Sequence, residues 1–300
     1  MPDKKIFKVG TRSSPLALAQ TQIVIDELLK KNPEFNFELV TFQTIGDKNL
    51  DRPLSEIGGK GLFTQELESA LLDNSIDFAV HSFKDMPTAM DERLTFGATF
   101  GRSYPGDVFL SKDYESLSSM PKGTRIGTSS LRRKACLNFY YPHLDVVPLR
   151  GNVGTRISKM NEGACDGMIL AHEGLKRLNQ EHLVREILSI QEFVPAPAQG
   201  SLAVQCRKSN PEVENVLKTI NSETLEFVTS SERLFLEALE GNCKTPLAAY
   251  VDVINQDTYD FRCMVVTKEG KLLQRHMGCL TAENMRETVL RLAHEFKPLI

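Results

Sequence analysis

The sequence predicts an α/β protein, with two α/β units followed by a small α+β domain. Three observations carry that expectation. Strand and helix signals alternate from Lys5 to Leu170, dense Pro/Gly punctuation falls at Pro105-Gly106 and again at Pro195–Gly200, and the late strand-like runs cluster without helices between them. The chain has 300 residues, 41% hydrophobic and 25% charged, which excludes collagenous, low-complexity and largely disordered classes. No stretch approaches the ~20 apolar residues of a membrane span. The start, Met1-Pro2-Asp3-Lys4-Lys5-Ile6, has no apolar signal core, so the cytoplasm is the expected compartment.

Taken in order, Lys5–Val9 reads as a strand. Ser14-Pro15 then supplies a helix cap and a first-turn proline, followed by an apolar period to Leu29. Phe37–Phe42 is a strand, Thr64–Asn74 a helix and Phe78–Val80 a short buried strand. After Pro105-Gly106 the alternation resumes. A strand at Arg125–Gly127 leads to a helix at Leu131–Tyr140, and a strand at Asp145–Leu149 to a helix at Gly154–Glu162; Gly167–Leu170 is a strand. Ser201–Cys206 is a strand, Pro211–Ile220 a helix and Ser222–Glu240 a long amphipathic helix. Strands at Leu247–Val253, Phe261–Val266 and Lys271–Met277 precede a closing helix at Thr281–His294.

Net charge is −3, so the chain is no general polycation for nucleic acid. One segment departs from the average. Between Ser116 and Asn161 lie eight basic residues and one acid, Asp145, about +7 by charge counting. A basic segment in an acidic protein points to a local anion site. Six cysteines occur (Cys136, Cys165, Cys206, Cys243, Cys263, Cys279), with no C-x-x-C and no zinc spacing. Reduced thiols are expected.

Four strand-to-loop junctions concentrate chemistry. Gly10-Thr11-Arg12-Ser13-Ser14-Pro15 offers helix N–H groups and an arginine fork to an anion. His81-Ser82-Phe83-Lys84-Asp85-Met86-Pro87 follows a buried strand, where open α/β sheets place ligands, and sets a cation beside a possible acid/base. Gly127-Thr128-Ser129-Ser130-Leu131-Arg132-Arg133 puts two arginines in a first helical turn. Helix electrostatics disfavours them there, and an anionic ligand would offset the cost. Arg150-Gly151-Asn152-Val153-Gly154-Thr155-Arg156 repeats that logic. A Gly58-Gly59-Lys60-Gly61 loop lacks the hydroxyl and upstream glycine of a phosphate-binding P-loop. The histidines form no metal motif, and no dinucleotide, kinase or serine-nucleophile signature is present. The inventory is rich in Arg and Lys and poor in bases, which suits a substrate with several carboxylates or phosphates. A non-catalytic two-lobed anion binder and a nucleic-acid module remain the competing readings.

These motifs, in this order, together with Gln199-Gly200 and Leu239-Glu240-Gly241-Asn242-Cys243, resemble the porphobilinogen deaminase family over residues 6 to 250. The resemblance implies two lobes like those of two-lobed solute-binding proteins, from 1–100 with 200–220 and from 101–199, and a C-terminal domain at 221–300. It implies a transferase that joins four porphobilinogen units head to tail, with loss of ammonia, into a linear tetrapyrrole. The family uses a covalent dipyrromethane primer, here on Cys243. By motif matching, Asp85 is the catalytic carboxylate. Lys84, Ser130, Arg132 and Arg133 hold the cofactor's carboxylates. Arg12, Ser14, Lys60, Arg150 and Arg156 hold those of the substrate. No metal, nucleic acid or membrane is implied, and a monomer is expected. The chain departs from the family pattern at Asn242 and Lys244 beside the cysteine, at Ala198 and at Gly101.

Overall fold

The computed structural model describes residues 4–44, 64–241, 245–267 and 271–300. The chain divides into two compact units, Met1–Arg102 with Ser201–Glu226, and Ser103–Gly200 with Phe227–Ile300.

In the first unit, β1 (Ile6–Arg12) leads to α1 (Pro15–Lys31), β2 (Asn36–Phe42), α2 (Gln65–Leu72), β3 (Phe78–Ser82) and β4 (Leu94–Phe100). In the second lie β5 (Asp107–Ser111), β6 (Arg125–Gly127), α3 (Leu131–Tyr140), β7 (Asp145–Val147), α4 (Val153–Asn161), β8 (Gly167–Ala171), α5 (His172–Lys176) and β9 (Glu186–Ile187). Then β10 (Leu202–Arg207) and α6 (Pro211–Lys218) return to the first unit. The chain ends with α7 (Glu223–Ala238), β11 (Leu247–Asn255), β12 (Thr258–Val266), β13 (Leu272–Leu280) and α8 (Ala282–Phe296).

The first sheet has the order β2-β1-β3-β10-β4, with β1, β2 and β3 parallel and β10 antiparallel to both of its neighbours. The second has the order β7-β6-β8-β5-β9, with β6, β7 and β8 parallel and β5 antiparallel. The two sheets share one plan. In each, the antiparallel strand is the first one formed after the chain arrives from the other unit. The third sheet, β11-β12-β13, is an antiparallel meander. Phe235 of α7 packs edge-on against Phe261 of β12 and Phe296 of α8, joining its helices to its strands.

Local chemistry accounts for the elements. Ser14 caps α1 by accepting from the Ala17 N–H at 3.3 Å, and Pro15 opens the helix. Its inner face buries Val24, Ile25 and Leu28 against Phe7, Phe78 and Val204. Burial of each such side chain stabilises by about 1.5–3 kcal/mol. The second unit's core gathers Phe109, Ile126, Leu137, Ile169 and Phe193.

The sequence reading passed over β4, β5, β9 and α5. β4 reads Leu-Thr-Phe-Gly-Ala-Thr-Phe, and Gly97 interrupts its alternation. A Cβ there would lie 2.6 Å from Leu217 Cδ1, so α6 approaches the strand only because a glycine permits it. β5, Asp-Val-Phe-Leu-Ser, is buried throughout and shows no period-two pattern. β9 has two residues and α5 five, too short for a periodic signal.

Candidate active site

In the first unit, β1 and β3 run parallel with Val9 opposite Phe78 and Gly10 opposite Ala79. Their carboxyl ends therefore share one sheet edge, which brings Arg12 and Ser14 beside His81, Lys84 and Asp85. Phe83–Asp85 form a single 3-10 turn, closed by the Met86 N–H on the Phe83 carbonyl at 3.2 Å. Phe83 is buried and meets Phe96 edge to face at 4.9 Å, which anchors the turn and leaves Lys84 and Asp85 half-buried at the rim. The Asp85 carboxylate has no hydrogen-bond or ion-pair partner among the described residues.

His81 is buried, with Nε2 3.1 Å from Gln205 Oε1. Burial pushes its pKa down to about 4; the Gln205 contact raises it and the nearby Arg12 charge lowers it. The ring is therefore neutral at pH 7 and is not the acid of this edge.

In the second unit, β6 and β7 pair with Gly127 opposite Val147, so two strand–loop–helix junctions stand side by side. The Thr128 N–H reaches the Val147 carbonyl at 2.9 Å, and Ser129 Oγ donates to the Leu149 carbonyl at 3.1 Å. Ser130 caps α3 and Asn152 caps α4. Gly151 holds φ +123°, and a Cβ there would meet Thr155 Cγ2 at 2.7 Å. Arg156 Nε donates to the Gly151 carbonyl at 2.7 Å, which fixes the loop between the two arginines.

Arg132 and Arg133, read from sequence as hooks for an anionic ligand, are buried and already engage an anion of the chain itself. Asp107, fully buried at the start of β5, accepts from Arg132 Nη2 at 2.7 Å and from Arg133 Nη2 at 2.8 Å. Gln199 Nε2 adds a third donor at 2.9 Å. Burial alone would raise the Asp107 pKa. The charges of Arg132 and Arg133, with hydrogen bonds from Arg133 and Gln199, outweigh burial and hold the carboxyl well below the usual carboxylate range.

Sequence reasoning missed Asp107. Its signal was an acid opening an otherwise apolar run, which burial requires to be paired. Two guanidinium N–H groups in this unit, Arg133 Nε and Arg150 Nη1, are shut off from solvent and have no hydrogen-bond partner among the described residues.

The Gly58–Gly61 loop with Lys60, and Cys243 with Asn242 and Lys244, lie outside the described residues. Of the described cysteines, Cys136, Cys165, Cys206 and Cys263 are buried and Cys279 is exposed. Burial pushes the thiols of Cys136, Cys206 and Cys263 up to about 12, which makes them poor nucleophiles. Among the described residues no cluster of three or more His, Cys, Asp or Glu could hold a metal ion, and no helix is long and apolar enough to cross a membrane.

Two family models match. One, "Porphobilinogen deaminase, dipyromethane cofactor binding domain", covers residues 7–215; the other, "Porphobilinogen deaminase, C-terminal domain", covers residues 227–297. The chain belongs to the porphobilinogen deaminase family. It is 47% identical to the porphobilinogen deaminase of Carboxydothermus hydrogenoformans over 97% of this chain and 94% of that protein. It is 46% identical to that of Desulforamulus reducens, over 92% and 89%. The chloroplastic relative of Pisum sativum is 40% identical over 93% of this chain and 78% of that protein. Among solved structures, the methionine-binding protein MetQ aligns with a TM-score of 0.47 at 12% identity, covering 75% of this chain and 93% of that one. The family's cofactor-binding domain spans Arg12, Ser14, Lys84, Asp85, Ser130, Arg132, Arg133, Arg150 and Arg156, at the two sheet edges described above.

Proposed function

We propose that this chain joins porphobilinogen units head to tail, with loss of ammonia, into the linear tetrapyrrole hydroxymethylbilane, on a dipyrromethane primer attached through Cys243. The observation that carries the reading is the pair of shut-off guanidinium donors, Arg133 Nε and Arg150 Nη1, at neighbouring strand ends of a chain with this family's cofactor-binding domain. A buried charged donor without a partner costs about 1–3 kcal/mol or more. A dipyrrole bearing four carboxylates fits that donor set, and arginine forks suit carboxylates.

When bound, the dipyrromethane supplies the free pyrrole α-carbon from which the chain grows. Lys84, Ser130, Arg132 and Arg133 hold its carboxylates. Arg12, Ser14, Lys60, Arg150 and Arg156 hold the acetate and propionate of the incoming unit. Ser14 Oγ already accepts from the Ala17 N–H, which leaves its O–H to donate to a carboxylate. The Asp85 carboxylate stabilises positive charge on the substrate ring as the amine leaves as ammonia. It then takes the proton released when the new carbon–carbon bond forms. Among the described cysteines Cys279 alone is exposed, and in the sequence Cys243 lies between the residues of α7 and those of β11. In this reading residues 1–100 with 200–220 and 101–199 are the lobes, and 221–300 carry the cofactor. The enzyme is a cytoplasmic monomer that binds neither nucleic acid nor membrane.

The test is incubation of the purified protein with porphobilinogen. The expected result is one ammonia released for each unit consumed, with a linear tetrapyrrole as product. A protein that leaves porphobilinogen untouched would overturn the reading.

A further inference from the structure

The proposed carboxylate-binding role gives Arg132 and Arg133 a task that needs fixed guanidiniums, and the second unit contains a device that fixes them. Two arginines in the first turn of α3 oppose the helix dipole and repel each other. One carboxylate answers both. Asp107 Oδ2 takes Arg132 Nη2 at 2.7 Å and Oδ1 takes Arg133 Nη2 at 2.8 Å. The remaining Nη of each is also held: Arg132 Nη1 donates to the Val194 carbonyl at 2.7 Å, and Arg133 Nη1 to the Ile169 carbonyl at 3.0 Å. Each guanidinium is thus pinned by one bond to Asp107 and one to backbone. The trio keeps one net positive charge, and the shut-off Arg133 Nε has no partner among the described residues.

Asp107 also sits at a particular point of the chain. It opens the first strand formed after the chain enters the second unit at Ser103. Gln199 lies next to the last residue before the chain leaves that unit. Its Nε2 donates both to the Pro105 carbonyl at 2.7 Å and to Asp107 Oδ1 at 2.9 Å. The entering and leaving segments are therefore clipped to each other and to the arginine pair.

We infer that Asp107 is a positioning residue: it holds Arg132 and Arg133 in the orientation that receives a ligand carboxylate, and Gln199 ties that clamp to the segments by which the chain enters and leaves the second unit. A purely structural ion pair would be replaceable without consequence for ligand binding. A positioning residue sets the affinity of the site through preorganisation. The inference rests on the proposed function, and its test separates the two.

Asp107→Asn, Asp107→Ala and Gln199→Ala are compared with wild type and with Leu117→Ala, which opens a cavity in the same core and removes none of the clamp's side chains. Intact mass reports the fraction carrying a dipyrromethane adduct, and steady-state kinetics give KM and kcat for porphobilinogen. The expected result is that Asp107→Ala, still folded, is mostly bare, or shows a KM raised about tenfold in molecules that carry the adduct. Formate, which can set a carboxylate between the two guanidiniums, restores loading in Asp107→Ala and leaves wild type unchanged. Gln199→Ala, which removes a neutral donor and strands no charge, raises KM about threefold with kcat near wild type. It keeps the test open if both Asp107 variants fail to fold. Asp107 and Gln199 variants with the adduct and a wild-type KM would overturn the inference. So would Leu117→Ala losing the adduct to the same extent at equal thermal destabilisation. A wild-type chain that neither carries the adduct nor consumes porphobilinogen would instead overturn the functional reading itself.

Discussion

The first and second sheets have the same strand order and the same antiparallel fourth strand, yet they treat buried ionisable groups in opposite ways. At the first sheet's edge His81 is buried beside a neutral amide and is driven to its uncharged form. At the second, Asp107 is buried just as deeply but keeps its charge, because two guanidiniums and an amide compensate the lost hydration. The rim of the first edge presents a carboxylate, Asp85, without a partner among the described residues. The interior of the second presents cations oriented by a carboxylate. A shared scaffold supplies the position at the strand ends, and the partners of each charged group decide whether that position handles protons or holds anions.

The sharpest way to break this contrast is Asp85→Asn. Turnover of porphobilinogen should fall about a thousandfold, the range of a lost acid/base group, with an unchanged melting curve. An active Asp85→Asn protein would remove the carboxylate from the first edge's role.

A second test uses pH. The folded-state pKa of His81, about 4, lies below its ordinary 6.5, so the unfolded chain binds the proton first as pH falls. The contribution of His81 to stability is therefore fully present above pH 6.5 and declines from there toward pH 4, by up to about 3 kcal/mol. Denaturant unfolding at a series of pH values measures this, and His81→Asn should flatten the slope in that window. Asp107 adds to that slope only at its acid end, below about pH 5. Its carboxyl is held low, so its contribution is lost only as pH falls through and below the ordinary Asp range. A slope that survives His81→Asn would assign the titration elsewhere.

Arg150→Ala probes the second edge alone. KM for porphobilinogen should rise about tenfold with kcat little changed, and Arg150→Lys should not restore it, because an ammonium lacks the planar fork. Equal losses in kcat and kcat/KM would place Arg150 in the transition state instead. The smallest effect concerns the segments by which the chain crosses between units. Gly101 on the outward path holds φ +69°, and Ala198 on the return holds φ +59°. Ala198→Gly should stabilise by about 1 kcal/mol, read as a higher melting temperature.

Much of this was legible in the sequence because capping and punctuation are local. Ser14-Pro15 and the hydroxyls before Leu131 mark helix starts by their own chemistry, and Ser14 and Ser130 are caps in the structure; sequence reasoning missed Asn152, the cap of α4. The buried antiparallel strand β5 left no periodic trace, and Asp107 went with it. The arginines of α3 did announce a missing anion. A charge count beginning at Ser116 could not include one that precedes them in sequence by 25 and 26 residues and meets them only through the fold. The sequence alone therefore points to a ligand as the partner, whereas the chain supplies the first anion itself. Lys60 and Cys243 lie outside the described residues, and their roles rest on motif order.

The covalent primer is tested most simply by the intact mass of the purified protein, before and after porphobilinogen is added. The expected result is an excess equal to two linked porphobilinogen units on the peptide containing Cys243, and further stepwise additions once substrate is present. A mass that matches the bare chain and stays there in the presence of porphobilinogen would contradict it.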